Sequence, residues 1–389
     1  MADADFDLAI VGAGLVGLSL ACALRGSGLR VALVDRAAPP EAVTAPCDWD
    51  VRVFAISPGS EAFLAAFGAW PEAARTAPVL AMEVYGDDGA SRIAFDAHRA
   101  RVAHLAQIVE NRVLLQTLWQ RARASDVEVF APAHCAGVAF EDDGALLSLD
   151  AQPPVRARLL VAADGAQSWL RAQAGIETRV TPYAHTAVVA NFACELPHRG
   201  VALQWFRADG VLALLPLPGN RCSMVWSAQD GLAAELMSGG GEALAQRVGE
   251  ASLHRLGALE QITSPAAFPL QLVRVAQLVR PRLALLGDAA HNLHPLAGQG
   301  VNLGFQDARE LAQILLQRGA CRDVGEYRLL RRYERARRED ILAMTWVTHG
   351  LQRLFGDPSP ALSWARNRGL SLVGRAGPLK QRLVRHALG

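Results

Sequence analysis

The sequence predicts an α/β fold. Three observations carry that prediction: a glycine-rich β-α-β unit at residues 6–35, two later buried-strand runs that each end in a Gly and Asp pair, and intervening stretches of alternating apolar and polar residues. At 389 residues, 51% hydrophobic and 20% charged, the chain has the composition of an ordinary globular protein, long enough for roughly two or three domains.

The first unit, FDLAIVGAGLVGLSLACALRGSGLRVALVD, spans Phe6 to Asp35. Leu8–Val11 is a short apolar run suited to a buried parallel strand, and Gly12-x-Gly14-x-x-Gly17 follows at once. A helix to about Arg25, ended by Gly28, then leads to a second strand at Arg30–Val34. Gly12 permits the tight turn, Gly14 lets backbone amides approach a pyrophosphate, and Gly17 lets helix and strand pack closely. Asp35 is placed to accept hydrogen bonds from an adenosine ribose. This fingerprint predicts a dinucleotide without separating FAD from NAD(P).

Two later segments separate them. Leu159–Arg171, LLVAADGAQSWLR, reads as a buried strand ending at Asp164-Gly165, with Ser168 and Arg171 at a helical start. Leu283–Asp288, LALLGD, is another strand, leading through His291 into His294-Pro295-Leu296-Ala297-Gly298-Gln299-Gly300-Val301-Asn302 and a helix over Phe305–Leu316. A carboxylate ending a strand can hold a ribityl hydroxyl. A Gly-Gln-Gly turn leaves amide N–H groups unpaired at a helix N-terminus, which suits the negative charge of reduced flavin.

Between these segments, Val79–Phe95 and residues 185–228 alternate in character and predict antiparallel strands. Leu203, Trp205, Phe206, Leu212, Leu214 and Trp226 fit either ordinary sheet core or the lining of an apolar chamber. Ser238–Glu242, with three consecutive glycines, reads as a loop rather than a second nucleotide fingerprint. Tyr327–Phe355 carries apolar positions for one or two helices, and a basic amphipathic stretch follows at Leu362–Leu388.

A net charge of +1 gives no basis for nucleic-acid binding. The charge is unevenly spread: residues 318–389 hold 15 basic against 6 acidic side chains, so a basic tail follows an acidic body. Cys22, Cys47, Cys135, Cys194, Cys222 and Cys321 form no C-x-x-C pair, and no H-E-x-x-H helix points to a metal. Reduced thiols and an acidic N-terminus predict a cytoplasmic protein. The uncharged stretch Leu8–Leu24 is 17 residues with three glycines and predicts no membrane span.

At these motifs the chain resembles the FAD-dependent aromatic hydroxylases of the p-hydroxybenzoate hydroxylase fold. The run from His294 to Asp307, HPLAGQGVNLGFQD, resembles the signature of the ubiquinone-biosynthesis hydroxylases, and Arg52–Ser57, Ile108–Asn111, Gly210–Leu217 and the tail GLSLVGRAGPLK agree with it. The sequence departs from the family where Gly210-Val211 replaces a frequent Gly-Pro.

The resemblance implies a discontinuous Rossmann-like FAD-binding domain (1–75, 101–181 and 271–320), an inserted substrate-binding β-sheet domain (76–100 and 182–270) and a basic helical C-terminal region (321–389). It implies that Gly12, Gly14, Gly17 and Asp35 hold the ADP half of FAD, with Asp288 and Gly298, Gln299, Gly300, Val301 and Asn302 on the pyrophosphate, ribityl chain and isoalloxazine. Arg52 matches the family's arginine near the flavin; the alternative is a surface arginine paired with Asp48 or Asp50. Asp164 belongs to a motif associated with FAD and NAD(P)H contacts, or is a structural strand-to-helix turn. Pro295 resembles the position flanking the ring, where its carbonyl would orient the substrate, or it sets the helix entry.

The implied chemistry is reduction of FAD by NADH or NADPH as a transient co-substrate, uptake of O2 as a C4a-hydroperoxide, and transfer of one oxygen to the ring of a hydrophobic, polyprenylated phenol. No acid–base residue is assigned, because His185, His291 and His294 fit structural hydrogen bonding equally. Halogenation, which relies on an active-site lysine, is disfavoured because the sole lysine is Lys380. Alternatives are hydroxylation of a small soluble aromatic acid, a non-oxygenating flavoprotein reductase, or an FAD-binding assembly subunit. The basic C-terminus fits a membrane surface, a biosynthetic partner, a second copy in a homo-oligomer, or a solvated face.

Overall fold

The computed structural model describes residues 4–41, 48–87, 91–292, 300–319 and 321–356, with 345–356 described as backbone only. Phe6–Val11 is the central strand of the parallel part of an eight-stranded mixed sheet. Gln152–Ala162 lies on one side of it and Leu283–Leu285 beyond; Val31–Val34 and then Glu128–Phe130 lie on the other. Both faces are covered, so Leu8, Ala9 and Ile10, like Leu159–Ala162, are wholly buried. That burial is why these strands read as continuous apolar runs.

The first helix is Leu15–Ala23, shorter than the sequence predicts. Leu24 caps it, and the reversal through Gly26 and Gly28, both at positive φ, occupies the rest of the expected last turn. It packs against the helices Asn111–Arg123 and Gly300–Leu316, which the sheet's apolar cluster joins into one core.

A small antiparallel sheet of Val53–Ile56, Ala106–Glu110 and Thr76–Val79 bridges to a nine-stranded sheet built around the long strand Thr178–Cys194. Its neighbours Ala266–Val275 and Arg221–Gln229 are antiparallel to it, followed by Gly210–Leu217 and Val201–Arg207. One expectation is corrected here: Ala81–Tyr85 pairs parallel, not antiparallel, with Val201–Arg207. No hairpin joins those two strands, so turn geometry does not force their directions to oppose.

The loop expected at Ser238–Glu242 is also corrected. Helices Asp230–Ser238 and Gly240–Ala251 follow one another with Gly239 alone between them. Gly240, at φ +76°, turns the chain there, so the glycines mark a helix–helix junction. These two helices cover one face of the nine-stranded sheet. Leu203, Trp205, Leu212, Leu214 and Trp226 point into that packed layer and are core. Phe206 lies on the opposite face with Val84 and Val211.

The C-terminal region contains one continuous helix, Tyr327–Gly356. Leu329, Leu330 and Tyr333 are wholly buried, the Tyr333 hydroxyl donates to Leu285 O at 2.9 Å, and Leu278 N donates to the Glu334 carboxylate at 2.9 Å. The helix is thus fastened to the edge of the parallel sheet. The basic stretch Leu362–Leu388 lies outside the described residues.

Candidate cofactor and active site

The three fingerprint glycines do different work. Gly12 sits at φ +108°, and a Cβ there would run into the Ala163 carbonyl; a Cβ at Gly17 would run into Gly12 O. Both are close-packing positions between the glycine turn, the helix and the neighbouring strand. At Gly14 a Cβ would meet nothing within 4 Å, so this glycine faces open space at the helix N-terminus. Unpaired first-turn N–H groups there suit a phosphate. Asp35 holds the turn from the other side, accepting from Ala13 N at 2.6 Å and Ala37 N at 2.7 Å.

The second segment is tied to the third by a buried arginine. One Asp164 oxygen accepts from Leu170 N at 3.0 Å and so helps Ser168 cap the helix Trp169–Gln173; the other oxygen is buried with no hydrogen-bond partner among the described residues. The structural turn is real, and the second oxygen leaves a capacity the fold does not use. Arg171 donates to Ala289 O and Ala166 O, each at 2.8 Å, locking the two strand ends together. Burial lowers its pKa, with Asp164 opposing.

Around Asp288 the third segment is held by ionic contacts. Asp307, wholly buried on the helix Gly300–Leu316, accepts from Gly287 N at 3.0 Å, from His291 Nε2 at 2.7 Å and from Arg337 Nε of the C-terminal helix at 2.7 Å. Burial works to raise Asp307, but His291 and Arg337 outweigh it and hold the carboxyl below its usual range. Asp288 itself is exposed on one side and crowded by protein on the others. Burial raises its pKa, His291 and Arg52 pull it back, and Asp307 adds to the rise.

Gly300 begins the helix, with nothing within 4 Å of where its Cβ would stand, and Val301 packs partly buried on the core. The Asn302 side chain is used structurally: it accepts from Ser57 N at 2.9 Å and donates to Ala55 O at 2.8 Å. It therefore ties the helix N-terminus to the strand carrying Arg52. Pro295, Gly298, Gln299 and His294 lie outside the described residues.

Arg52 does not pair with Asp48 or Asp50 through its guanidinium. Asp48 goes to Arg112 at 2.9 Å, and the Asp50 carboxylate accepts from the backbone N–H groups of Arg52 and Arg112. The guanidinium lies instead over the rings of Phe54 and Phe268, 5.1 and 5.6 Å from their centroids. Phe268 belongs to the sheet face opposite the two covering helices. Across that face the register sets Gln204, Ala213, Val225, Val189 and Ala266 in one row, and Phe206, Val211, Ser227, Ala187 and Phe268 in the next. Small and apolar side chains thus form a floor toward the Arg52 and Gly300 end of the cofactor segments.

The residues present fit a flavin dinucleotide: an open glycine at one helix N-terminus, a carboxylate oxygen without a partner, an acid at the end of a strand, and a second open helix N-terminus beside a cation. Comparison with known proteins decides the family. The FAD binding domain family model matches residues 5–346. The chain is 37% identical to ubiquinone hydroxylase UbiL of Rhodospirillum rubrum, across 100% of this chain and 90% of the relative. It is 35% identical to 3-demethoxyubiquinol 3-hydroxylase of Escherichia coli, across the whole of both. The chain belongs to the FAD-dependent ubiquinone-biosynthesis hydroxylases. The p-nitrophenol 4-monooxygenase PnpA of Pseudomonas putida has the same fold, with a TM-score of 0.78 at 19% identity over 100% of this chain and 99% of that one.

Several residues on which the hydroxylase's cofactor segments depend carry no local signal of that role in the sequence. Glu110, almost wholly buried, accepts from Asp50 N at 2.7 Å and from Arg75 at 3.0 Å, and Asn111 N donates to Arg52 O at 2.9 Å. The Ile108–Asn111 motif therefore anchors the Arg52 segment. Asp307 and Arg337 were legible only as charges at apolar positions. Leu303, Asp307 and Leu311 repeat every fourth residue on a buried face, as do Tyr333, Arg337 and Ile341. Of the histidines, His185 bonds to Tyr183 O at 2.8 Å and His291 to Asp307, both structural ties.

Proposed function

We propose that this hydroxylase adds one oxygen atom to the ring of a polyprenylated phenol, with NADH or NADPH and O2 as co-substrates. FAD, when bound, supplies the hydride acceptor and the activation of O2. The protein's own part is to bind, orient and keep dry. Backbone N–H groups beside Gly14 would take the pyrophosphate, Asp35 the ribose and Asp288 a ribityl hydroxyl. The helix N-terminus at Gly300–Asn302 and the Arg52 cation would favour negative charge on the ring system. The sheet floor excludes water from the reacting region.

The observation that carries the choice of substrate is the composition of that floor. Its two central rows contain no arginine or tyrosine to clamp the carboxylate of a small aromatic acid, and their members are mainly alanine, valine and phenylalanine. Chromatography of the quinone intermediates in cells lacking this chain tests the reading. A precursor short of one ring oxygen should accumulate and disappear when the chain is restored. An unchanged quinone pool would overturn it.

A prenylated substrate resides in lipid, and the reading extends to peripheral attachment on the cytoplasmic face of a membrane. No helix among the described residues is long and apolar enough to cross a bilayer. The C-terminal helix exposes Arg328, Arg332, Arg335 and Arg338, a face that suits anionic headgroups. Co-sedimentation with anionic liposomes should be strong for the full chain and several-fold weaker for a variant ending at residue 356 with Arg332 and Arg335 changed to Gln. Equal binding by both would remove this attachment and favour a protein partner or a second copy.

A further inference from the structure

We infer that Gln204 recognises the ring hydroxyl of the substrate, a role that rests on the prenylated-phenol reading. The nine-stranded sheet has one face packed under two helices and one turned toward the cofactor segments. On the packed face, Leu203, Trp205, Leu212, Leu214 and Trp226 form an apolar layer with Tyr85, and the Arg207 guanidinium lies over the Trp226 ring. The other face carries Gln204 and Asn191. The Asn191 Nδ2 donates to Asp50 O at 2.8 Å, at the junction with the Arg52 segment, while its Oδ1 is enclosed without a partner among the described residues and so does not border open space. Gln204 is 5% exposed, its amide has no hydrogen-bond partner among the described residues, and that amide is not among the fully enclosed polar atoms, so it borders open space.

An amide that borders open space and has no protein partner is available to a ligand or an ordered water. Its neighbours show which. In the register Gln204 is followed by Ala213, Val225 and Val189. Those three join none of the hydrophobic clusters of the described residues, although clusters pack to either side of them, through Phe206, Val211 and Ala187 in one neighbouring row and through Ala202 and Leu215 in the other. A row of small apolar side chains, half-buried at Ala213 and Val225, outside the packed clusters and ended by an amide without a partner, matches an aromatic ring bearing one oxygen. The amide oxygen can accept from a phenol O–H, and its NH2 group can donate to an oxygen on the adjacent ring carbon.

The test uses FAD-loaded enzyme and two short-chain ligands, a farnesylated phenol and the farnesylated benzene that lacks its hydroxyl, titrated by perturbation of the visible flavin band. Wild type should bind the phenol about five- to tenfold more tightly than the benzene, the size of one hydrogen bond. Gln204→Leu and Gln204→Met should bring the two ligands within twofold of each other while leaving affinity for the benzene unchanged, which also shows that the variants are folded and hold FAD. Wild-type discrimination retained in both variants would overturn the assignment of Gln204 alone. Failure of wild type to bind either ligand, with a benzoate bound instead, would overturn the prenylated-phenol reading and this role with it.

Discussion

Gly17→Ala should not yield a flavoprotein at all, whereas Gly14→Ala should fold and fail only at the cofactor. The added methyl at position 17 would occupy the space of the Gly12 carbonyl and press on Ala163, so helix Leu15–Ala23 must separate from the sheet at the centre of the main core. Overpacking of that kind costs roughly 1–3 kcal/mol when side chains can yield and more when the obstacle is backbone, as here. At position 14 nothing stands within 4 Å, so the same methyl enters open space at the helix N-terminus, where the proposed pyrophosphate would lie. Circular dichroism and the visible flavin spectrum separate the two. Gly17→Ala should be insoluble or melt well below wild type. Gly14→Ala should keep its far-ultraviolet spectrum and near-native melting in the absence of FAD, and lose at least about tenfold in FAD affinity, the scale of one displaced charge-assisted contact. A yellow, stable Gly17→Ala protein would contradict the packing role given to that residue.

The parts of the fold legible in the sequence are those where one physical demand dominates. Parallel strands buried on both faces become apolar runs, and a turn that must pass between a helix and a carbonyl becomes glycine, so Phe6–Val34 could be read almost residue by residue. Alternation reported the nine-stranded sheet just as directly. It could not report which face was which: Leu203, Trp205 and Trp226 are large and apolar, and only the placement of the helices Asp230–Ser238 and Gly240–Ala251 makes them packed core rather than chamber lining. The glycines at 239–241 misled for a related reason, since a helix–helix junction and a loop use the same residue for the same backbone freedom.

At the site, motif chemistry names residues for a ligand, but it does not name the residues that hold them in place. Asn302 sits inside a motif that suggests flavin contact, yet its side chain spans to Ser57 and Ala55, 245 and 247 positions away in sequence. Arg171 likewise reads as a helix start and acts as a clamp on Ala289. Such bonds join segments remote in sequence, so no local pattern records them. A partial signal survives in the C-terminal helix, where Tyr333 and Ile341 are apolar and the position between them on the same face, 337, is arginine. A charge in an apolar slot asks for a buried partner, and Asp307 provides it.

Replacing Arg337 by Met should therefore loosen the flavin although the residue lies on a helix outside the cofactor motifs. The change leaves the Asp307 carboxylate wholly buried with one charge partner removed, a loss of about 3–5 kcal/mol when half of such a pair is deleted. Because Asp307 also accepts from Gly287 N and His291, its displacement moves the backbone on both sides of Asp288. Thermal melting should fall by roughly 5–15 °C and FAD should dissociate on gel filtration, while Arg335→Met, exposed on the same helix, should behave as wild type. The pH dependence isolates the carboxylate from mere packing. Its folded pKa is depressed, so its contribution to stability is present above the unfolded value of about 3.9 and is lost as pH falls through the folded value. Asp307→Asn should accordingly melt below wild type at pH 7, and the gap should close as the pH is lowered below about 4, where the wild-type carboxylate begins to lose that advantage. A gap that stays constant between pH 3 and pH 7, or flavin retention by Arg337→Met equal to wild type, would show that the C-terminal helix packs beside the cofactor segments without holding them.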